Sequence, residues 1–365
     1  CMNGVKGTVH TLNQRGGRED ALHEVLVQTR IDRETLQAML GVMKESFPTF
    51  RRYYKAKAKR LGKDALAWWD LDAPAGRSER RFTFEEARIF IVDNFGSFSP
   101  RMAEFTQKAF DQRWIDAEPR KGKRGGAFCM DIPLNEESRI LANYDGSLDQ
   151  LSTLAHELGH AFHNECQWGL TELQRITPMT LAETASTFNE TLISESSLAQ
   201  ARSSEEELSI LETSLVVASV VIVDIYSRYL FESEVFEKRA DAELSADDFC
   251  EIMLRCQAET YADGLDERYR HPYMWAWKPH YYSPSQSFYN FPYAFGQLFG
   301  LGLFAIYKER GEDFIPDYES LLRNTGKGNA ADLAARFDID LRSPAFWKSS
   351  MEVIEGRVER YLELK

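Results

Sequence analysis

Residues 154–163 read LAHELGHAFH and hold three of the seven histidines in a chain of 365 residues. His156 and His160 are four residues apart, so on a helix they share one face, with roughly 6 Å between their Cβ atoms. Two imidazoles at this spacing can bind one Zn²⁺ ion, and Glu157 beside them can serve as a base for a water molecule. The stretch therefore predicts a helix that carries a hydrolytic zinc site.

The surroundings of this motif favour a zinc site over histidines that only pack in a core. Gly159 lies in the middle of the predicted helix, where glycine costs about 1 kcal/mol relative to alanine. It is explained if another backbone or the metal approaches closely. His163 lies two turns from His156, too far to share one ion with it. We expect His163 to support the site or line its wall.

A tetrahedral catalytic zinc site needs a third protein ligand and one open position. The segment 177–196, TPMTLAETASTFNETLISES, offers Glu183, Glu190 and Glu195 on a second predicted helix. Glu183 follows His160 by 23 residues, which allows a loop and a helix that folds back. Glu190 lies two turns further on nearly the same face and is placed to orient a histidine ligand. Glu195 is interpreted as a solvated carboxylate.

Composition and charge exclude several classes of protein. The net charge of −13 argues against nucleic-acid binding, which requires a basic surface. Five scattered cysteines are typical of reduced thiols in the cytoplasm. The longest apolar run, LVVASVVIV at 215–223, is much shorter than the ~20 residues of a membrane-spanning helix. We expect a soluble cytoplasmic protein without a nucleic-acid or membrane partner.

The hydrophobic pattern predicts a mainly α fold. Apolar residues recur three and four positions apart through most of the chain, as in amphipathic helices. The exception is 117–147, where GAFCMDI (126–132) and SRILANY (138–144) predict a short hairpin or small sheet beside the active-site helix. We expect a helical segment over 1–80 that packs on a catalytic unit over 81–365.

Three segments together resemble the thimet oligopeptidase and oligoendopeptidase F family of zinc peptidases. They are ESRILANYDGSLDQLSTLAHELGHAFH (137–163), TLAETASTFNETL (180–192) and HYYSPSQSFYNFPYAFGQLFGLGLF (280–304). The resemblance implies a helical, zincin-type fold around a deep substrate channel. It also implies one Zn²⁺ per chain and short peptides as substrates, and it leaves the oligomeric state open. Family members usually carry a further N-terminal helical portion, which this chain is expected to lack.

The family pattern also implies roles for individual residues. His156, His160 and Glu183 match the zinc ligands, and Glu157 matches the general base. In the family, a histidine and tyrosines near the C-terminus stabilise the oxyanion and hold the substrate. The candidates for these roles are His280, Tyr282, Tyr289 and Tyr293, with Tyr293 and His280 preferred. Imidazole and phenol groups can both donate a hydrogen bond to an oxyanion. The strand RILANY (139–144) is implied to pair with the substrate backbone.

The resemblance thus implies an endopeptidase that cuts internal bonds of short oligopeptides. One alternative is a zinc carboxypeptidase of the same clan, in which Arg or Lys within 121–124 would bind a free carboxylate. A second alternative is a catalytically silent peptide-binding protein. The intact His-Glu-x-x-His argues against the second alternative, because a silent protein has little need of Glu157.

Overall fold

The computed structural model describes residues 1–76 and 80–364, and the mainly α fold with a small sheet is confirmed. The helices are α1 (Met2–Arg15), α2 (His23–Thr29), α3 (Arg33–Glu45), α4 (Phe47–Arg60), α5 (Phe84–Phe98), α6 (Pro100–Asp111), α7 (Leu148–Gln167), α8 (Glu172–Arg175), α9 (Met179–Ala182), α10 (Thr184–Ala199), α11 (Ser204–Ser219), α12 (Ile225–Asp241), α13 (Ala246–Tyr261), α14 (Phe291–Arg310), α15 (Ile315–Asn324), α16 (Ala330–Ala334) and α17 (Pro344–Glu363). The strands are β1 (Ile115–Asp116), β2 (Phe128–Ile132) and β3 (Glu137–Leu141).

The predicted hairpin forms, but the strand expected to face the substrate lies in the middle of the sheet. The strand order is β1-β3-β2, with β2 antiparallel and β1 parallel to β3. The backbone N–H groups of Ile140, Ala142 and Tyr144 donate to carbonyls of Trp114, Asp116 and Ala117. Residues 139–141 therefore lie in the central strand and offer no free edge for a peptide, so the expectation that RILANY pairs with substrate is wrong for this part. β2 does not pair beyond Leu141. Among the described strands, β2 is the edge on the side of α7.

α7 and α10 pack closer than two ordinary helices because of one glycine. A Cβ atom added at Gly159 would lie 2.6 Å from Cα of Ser186 and 2.7 Å from the carbonyl oxygen of Ala185. Both contacts are to backbone, which cannot rotate away. The close approach predicted for Gly159 is therefore made by the start of α10.

α14 approaches the same region from the other side of α10. A Cβ atom at Gly296 would lie 2.8 Å from Cβ of Glu183, and one at Gly300 would lie 2.8 Å from Cβ of Thr187. These two glycines are one turn apart and face α10 together. The start of α10 is thus held between α7 and α14.

The N-terminal helices pack on the rest of the chain. α1 contacts α12, and α3 and α4 contact α17. Leu36 of α3 and Phe50 of α4 belong to the same apolar core as Leu158 of α7. The segment predicted over 1–80 therefore shares the main core. The boundary placed at residue 80 directly follows residues 77–79, which lie outside the described part of the chain.

α11 and α12 are joined by a π-helical turn, Val220–Asp224, into one helix of 38 residues. Its length and apolar composition alone would allow it to cross a membrane. However, 56% of its most apolar window is buried inside the protein, as in the core helix of a globular domain. Leu215, Ile222 and Val223 of the apolar run 215–223 are fully buried.

Replacement of Gly159 by alanine tests the close contact between α7 and α10. We expect the free energy of unfolding to fall by about 1–3 kcal/mol, because the methyl group overlaps the α10 backbone. The matched control is Gly41→Ala in α3, where an added Cβ meets no atom within 4 Å. It should stabilise the protein by about 0.5–1 kcal/mol through helix propensity. Equal effects of the two substitutions in urea denaturation would contradict the packing argument.

Candidate metal centre

Three side chains predicted to be ligands meet at one point. His156 and His160 lie on one face of α7, with ring centroids 4.9 Å apart. Glu183, the residue that precedes α10, places Oε2 at 3.2 Å from His156 Nε2 and 3.3 Å from His160 Nε2. The three potential ligand atoms lie within 4.8 Å of one another. The arrangement brings two imidazole nitrogens and one carboxylate oxygen together, as the sequence predicts.

Two of the three ligand candidates are oriented by neighbouring groups. Glu190 Oε2 lies 3.3 Å from His156 Nδ1, so this carboxylate fixes the ring and leaves Nε2 facing Glu183. Ser186 Oγ donates to Glu183 Oε2 at 2.8 Å. Glu190 thus takes the orienting position expected from the sequence, and such a partner raises the basicity of a ligating imidazole.

The electrostatics of the cluster favour a bound cation. Burial by itself lowers the pKa of His156, but the carboxylates of Glu183 and Glu190 raise that pKa to about 10. Burial by itself raises the pKa of Glu183, but the imidazoles of His156 and His160 hold it well below its usual range. The two carboxylates therefore stabilise positive charge on the ligand face of α7. Two nitrogen donors and one oxygen donor are a set that suits Zn²⁺ and leaves a fourth position open.

Glu157 lies beside the cluster without taking part in it. Its side chain is buried, and Oε2 has no hydrogen-bond partner among the described residues. Burial raises the pKa of this carboxyl above its ordinary value. A desolvated carboxylate with a free oxygen and a raised pKa is suited to accept a proton.

His163 and Glu195 lie outside the cluster. His163 is buried, with Nε2 at 2.8 Å from Thr325 Oγ1 and 3.2 Å from the carbonyl of Leu322. It ties α7 to the end of α15, in the supporting position expected. Glu195 is not simply solvated, because it accepts a hydrogen bond from Arg357 Nη2 at 2.9 Å.

Two cavities share His156 and Glu183. The first, of about 290 Å³, is called the α10 cavity and is lined by residues of α7, α10, α11, α14 and α17 between Leu148 and Arg357. The second, of about 460 Å³, is called the β2 cavity and is lined by β2, by α7 from His156 to Gln167, and by residues 175–183. Glu157 and His160 line only the β2 cavity. The proposed ligands therefore stand where the two cavities meet.

The comparison with known families agrees with this geometry. The sequence profile of the family described as peptidase family M3 matches residues 9–353. The chain belongs to peptidase family M3.

Similar proteins carry oligopeptidase names. The chain is 25% identical over 362 residues to the chromosomal oligoendopeptidase F of Lactococcus lactis subsp. cremoris, covering 98% of this chain and 59% of that one. It is 26% identical over 364 residues to the group B oligopeptidase PepB of Streptococcus agalactiae, covering 95% and 57%. A crystal structure of oligoendopeptidase-F from Enterococcus faecium has the same fold, with a TM-score of 0.73 at 18% identity, covering 100% and 60%. The chain spans about three fifths of the length of these relatives.

Of the tyrosines that the family resemblance pointed to, Tyr293 lines a cavity with two of the ligand candidates. Tyr293 lies in the first turn of α14, is 37% exposed, and lines the α10 cavity together with His156 and Glu183. Its hydroxyl donates to the hydroxyl of Tyr289 at 3.2 Å. Burial, followed by the hydrogen bond to Tyr289, raises the pKa of Tyr293, so the phenol keeps its proton.

His280 and Tyr282 line neither cavity. His280 is buried, and its Nε2 lies 2.7 Å from Nδ2 of Asn290. Arg228 donates to the Oδ1 atom of Asn290 at 3.3 Å, which leaves Nδ2 as the donor and makes His280 Nε2 an acceptor. Burial and the Arg228 charge lower the pKa of His280 to about 3. The hydroxyl of Tyr282 donates to the carbonyl of Trp275 at 3.4 Å, so its O–H proton is already engaged.

Three residues at the cavities were not singled out from the sequence. Cys129 on β2 lines the β2 cavity, and burial raises the pKa of its thiol to about 12. Gln297 and Arg357 line the α10 cavity. Gln297 could have been found, because it lies one helical turn after Tyr293. No local sequence pattern distinguishes Arg357 from the other arginines of the chain.

The buried state of His163 predicts a pH dependence of stability. Burial lowers its pKa to about 4, whereas the unfolded value is ~6.5. The unfolded state therefore binds a proton between these values and the folded state does not, so stability is lost as pH falls through this window. Compared with His163→Gln, the wild-type protein should lose about 3 kcal/mol of unfolding free energy between pH 7 and pH 4. A difference that stays constant with pH in urea denaturation would contradict a buried, neutral His163.

Proposed function

We propose that this chain is the catalytic part of a zinc-dependent endopeptidase that hydrolyses internal bonds of short peptides. The observation that carries the proposal is the convergence of His156, His160 and Glu183 within 4.8 Å, beside a buried and unpartnered Glu157. The names of the M3 relatives support oligopeptides as the substrate class. Chelator-sensitive cleavage inside a blocked, fluorescence-quenched peptide, with the cut position read by mass, tests it directly.

One zinc ion per chain would be held by His156 Nε2, His160 Nε2 and Glu183 Oε2. When bound, Zn²⁺ supplies a Lewis acid that polarises the scissile carbonyl and brings the pKa of a water molecule toward 7. Glu190 keeps the His156 ring turned so that Nε2 faces the other two ligand atoms. Ser186 holds the Glu183 carboxylate by its Oγ–H group.

Glu157 acts as the general base and then as the general acid. Its free Oε2 takes a proton from the attacking water and later delivers it to the nitrogen of the leaving amine. The raised pKa of the buried carboxyl makes it a stronger base than an exposed glutamate. The same desolvation keeps bulk water from competing for the proton.

Tyr293 is the best-placed donor for the oxyanion that develops on the scissile carbonyl. Tyr293 lines the cavity that His156 and Glu183 share, and its raised pKa keeps the phenol protonated. To donate to the oxyanion, the O–H group would turn away from Tyr289. Tyr289 supports it from one turn earlier. His280 is proposed to act through Nδ1–H, since its Nε2 accepts from Asn290. Tyr282 is assigned no contact with the reacting atoms, because it faces the carbonyl of Trp275.

We assign the substrate backbone to β2 in place of the segment 139–144. β2 is the edge strand, and Phe128, Cys129 and Asp131 line the cavity that contains Glu157. An extended peptide can add to this edge through main-chain hydrogen bonds. The carbonyl to be cleaved would then pass over the ligand face of α7.

Of the basic residues that the carboxypeptidase alternative offers at 121–124, Lys123 is already engaged, whereas Lys121 and Arg124 are exposed. Lys123 is buried and donates to the carboxylate of Asp116 and to the carbonyl of Ala142, so it is not free to bind a terminal carboxylate. A catalytically silent peptide-binding protein would have no use for a buried Glu157 oxygen without a hydrogen-bond partner. Reduced cysteines and the acidic net charge support a cytoplasmic enzyme that acts on peptides, without nucleic-acid or membrane partners.

Glu157→Gln separates the base from the metal site. The amide cannot accept the proton, so kcat should fall at least ~100-fold while zinc stays bound at one ion per chain. Glu165→Gln, two turns later in α7, is the matched control and should retain activity. Zinc content and peptide cleavage are measured on the same samples. Retained turnover in Glu157→Gln would disprove the assignment of the base.

Gly296→Ala tests the placement of Glu183. The added methyl group would lie 2.8 Å from Cβ of Glu183 and must displace that carboxylate or α14. We expect at least ~10-fold weaker zinc binding, because ligand positions must hold to about 0.5 Å. Gly356→Ala in α17 meets no atom within 4 Å and should bind zinc as the wild type does. Equal zinc affinities of the two variants would contradict Glu183 as a ligand held by α14.

A further inference from the structure

Tyr289 and Tyr293, called the tyrosine pair, follow a residue with an unusual backbone conformation. Phe288 has a φ of 52°, in the left-handed region that bulky residues rarely adopt. The hydroxyl of Tyr289 accepts a hydrogen bond from the Tyr293 hydroxyl, and the Tyr289 ring stacks on His280 with centroids 5.7 Å apart. The direction in which the chain leaves Phe288 therefore determines where the Tyr289 hydroxyl lies.

Two side chains of α12 hold the chain on either side of Tyr289. The Glu232 carboxylate accepts the Phe288 N–H through Oε2 at 3.0 Å. Arg228 donates to Oδ1 of Asn290 at 3.3 Å. Because Arg228 and Glu232 are four residues apart in a helix, they project from the same face. Tyr289 thus lies between two neighbours that are both anchored to α12.

The charge of the Glu232 carboxylate is balanced by a lysine from the first helix. Lys6 of α1 donates to Glu232 Oε1, and the two side chains are 1% and 2% exposed. The Lys6 ammonium also lies 4.7 Å from the ring centroid of Phe236, on which the Phe288 ring stacks. With Oε1 bound to Lys6 and Oε2 to Phe288, both oxygens of Glu232 are engaged. The carboxylate therefore has one fixed orientation.

A buried ion pair is not needed merely to hold α1 against α12. The desolvation of two charges often outweighs their attraction, so well-packed apolar side chains can stabilise such a contact equally well. An apolar side chain at position 232 could fill the space, but it could not accept the Phe288 N–H. A carboxylate at this position therefore adds a fixed backbone at Phe288, immediately before Tyr289.

We propose that Glu232 is a positioning residue for the tyrosine pair, and that Lys6 keeps its carboxylate charged and oriented in the interior. By accepting the Phe288 N–H, Glu232 fixes the turn from which Tyr289 projects, and Tyr289 sets the position of the Tyr293 hydroxyl. A hydroxyl both donates and accepts, so Tyr289 stays in contact as the donor when Tyr293 turns its proton to the oxyanion. The inference rests on the proposed peptidase function. It gives α1 and α12 a part in placing the oxyanion donor, although no described residue of either helix lines the two cavities.

The test compares two double variants that remove the same two charges. Lys6→Met/Glu232→Gln, called the Gln variant, keeps an oxygen that can accept the Phe288 N–H, whereas Lys6→Met/Glu232→Leu, called the Leu variant, removes it. The kcat for a quenched peptide should stay within ~3-fold of the wild type in the Gln variant and fall at least ~10-fold in the Leu variant, since a displacement of about 1 Å can cost roughly 100-fold. KM and zinc content should change in neither variant, because the metal ligands and cavity walls are untouched. Equal kcat values of the two variants would overturn the proposal.

A second buried ion pair provides the matched control for a general loss of stability. Lys57 of α4 pairs with Glu212 of α11 at 2.7 Å, and their side chains are 0% and 6% exposed. Neither residue lines the α10 cavity or the β2 cavity. Lys57→Met/Glu212→Leu removes as many buried charges and should leave kcat per folded, zinc-loaded enzyme within ~3-fold of the wild type. A loss as large as that of the Leu variant would mean that both pairs act only through stability, against the proposal.

A double-mutant cycle distinguishes positioning from a diffuse structural effect. If Glu232 acts through the tyrosine pair, the substitutions of the Leu variant should lower kcat at least ~10-fold in the wild-type background and less than ~2-fold in a Tyr293→Phe background. The same loss in both backgrounds would contradict a role through Tyr293. Glu232→Asp guards against a folding defect in the Leu variant, because it keeps a charge for Lys6 but withdraws the carboxylate from Phe288 by one methylene group. It should show the same dependence on Tyr293.

Hydrogen–deuterium exchange separates this inference from the proposed function. The Phe288 N–H should exchange at least ~10-fold faster in the Leu variant than in the wild type and the Gln variant, because its hydrogen bond is lost. If the wild type cuts no peptide but exchange follows this pattern, the endopeptidase proposal fails and Glu232 still holds the segment. If peptides are cut and neither kcat nor exchange differs between the Gln and Leu variants, the positioning role fails and the endopeptidase stands.

Discussion

The contact between α7 and the start of α10 is the constraint on which the site depends. Only a residue without Cβ at position 159 lets the α10 backbone come this close, since any larger side chain would meet Ser186 and Ala185. The close approach brings Glu183 within 3.3 Å of both imidazoles and places Glu190 beside His156. The central glycine destabilises α7, but it lets Glu183, which lies outside the α7 motif, reach the two histidines.

The segment that precedes α14, the third helix of the site, is held by charged side chains of the long helix 204–241. Asp224, Arg228 and Glu232 follow one another at four-residue steps, so they share one face of the long helix. Arg228 pairs with Asp224, and the buried Glu232 pairs with Lys6 of α1. Arg228 donates to Asn290 and Glu232 accepts from Phe288, and both of these partners lie in the segment that leads into α14.

Phe288 shows how tightly that segment is held. Its φ of 52° is uncommon for a bulky residue and costs of order 1–3 kcal/mol. The Glu232 carboxylate accepts the Phe288 N–H at 3.0 Å, and the Phe288 ring stacks on Phe236 with centroids 5.6 Å apart. The next residue is Tyr289, which contacts Tyr293. Through Lys6, the first helix of the chain thus contributes to the framework around the proposed oxyanion donor.

The features that depend on local spacing could be predicted from the amino-acid sequence. Residues four apart in a helix must share a face, so His156 and His160 could be paired in advance, and the turn-rich stretch before α7 could be read as a hairpin. Gly159 likewise predicted a close contact, although its position did not predict that α10 makes the contact. The position of Glu183 at the cluster followed from a resemblance in which residues far apart in the chain form one pattern.

Which strand edges and polar atoms stay free depends on how distant segments pack, and the sequence did not predict this. Segment 139–144 has good strand-forming residues, but β1 pairs with β3 on the side opposite β2, so β3 is the central strand. β1 has only two residues, too few to show the alternating pattern of a strand in the sequence. His280 and Tyr282 have suitable chemistry, yet Asn290 engages one ring nitrogen of His280 and the carbonyl of Trp275 engages the hydroxyl of Tyr282. Gln297 and Arg357 meet in one cavity although they are 60 residues apart. Edges, cavities and free polar atoms depend on which distant segments pack together, and local spacing carries no information about that.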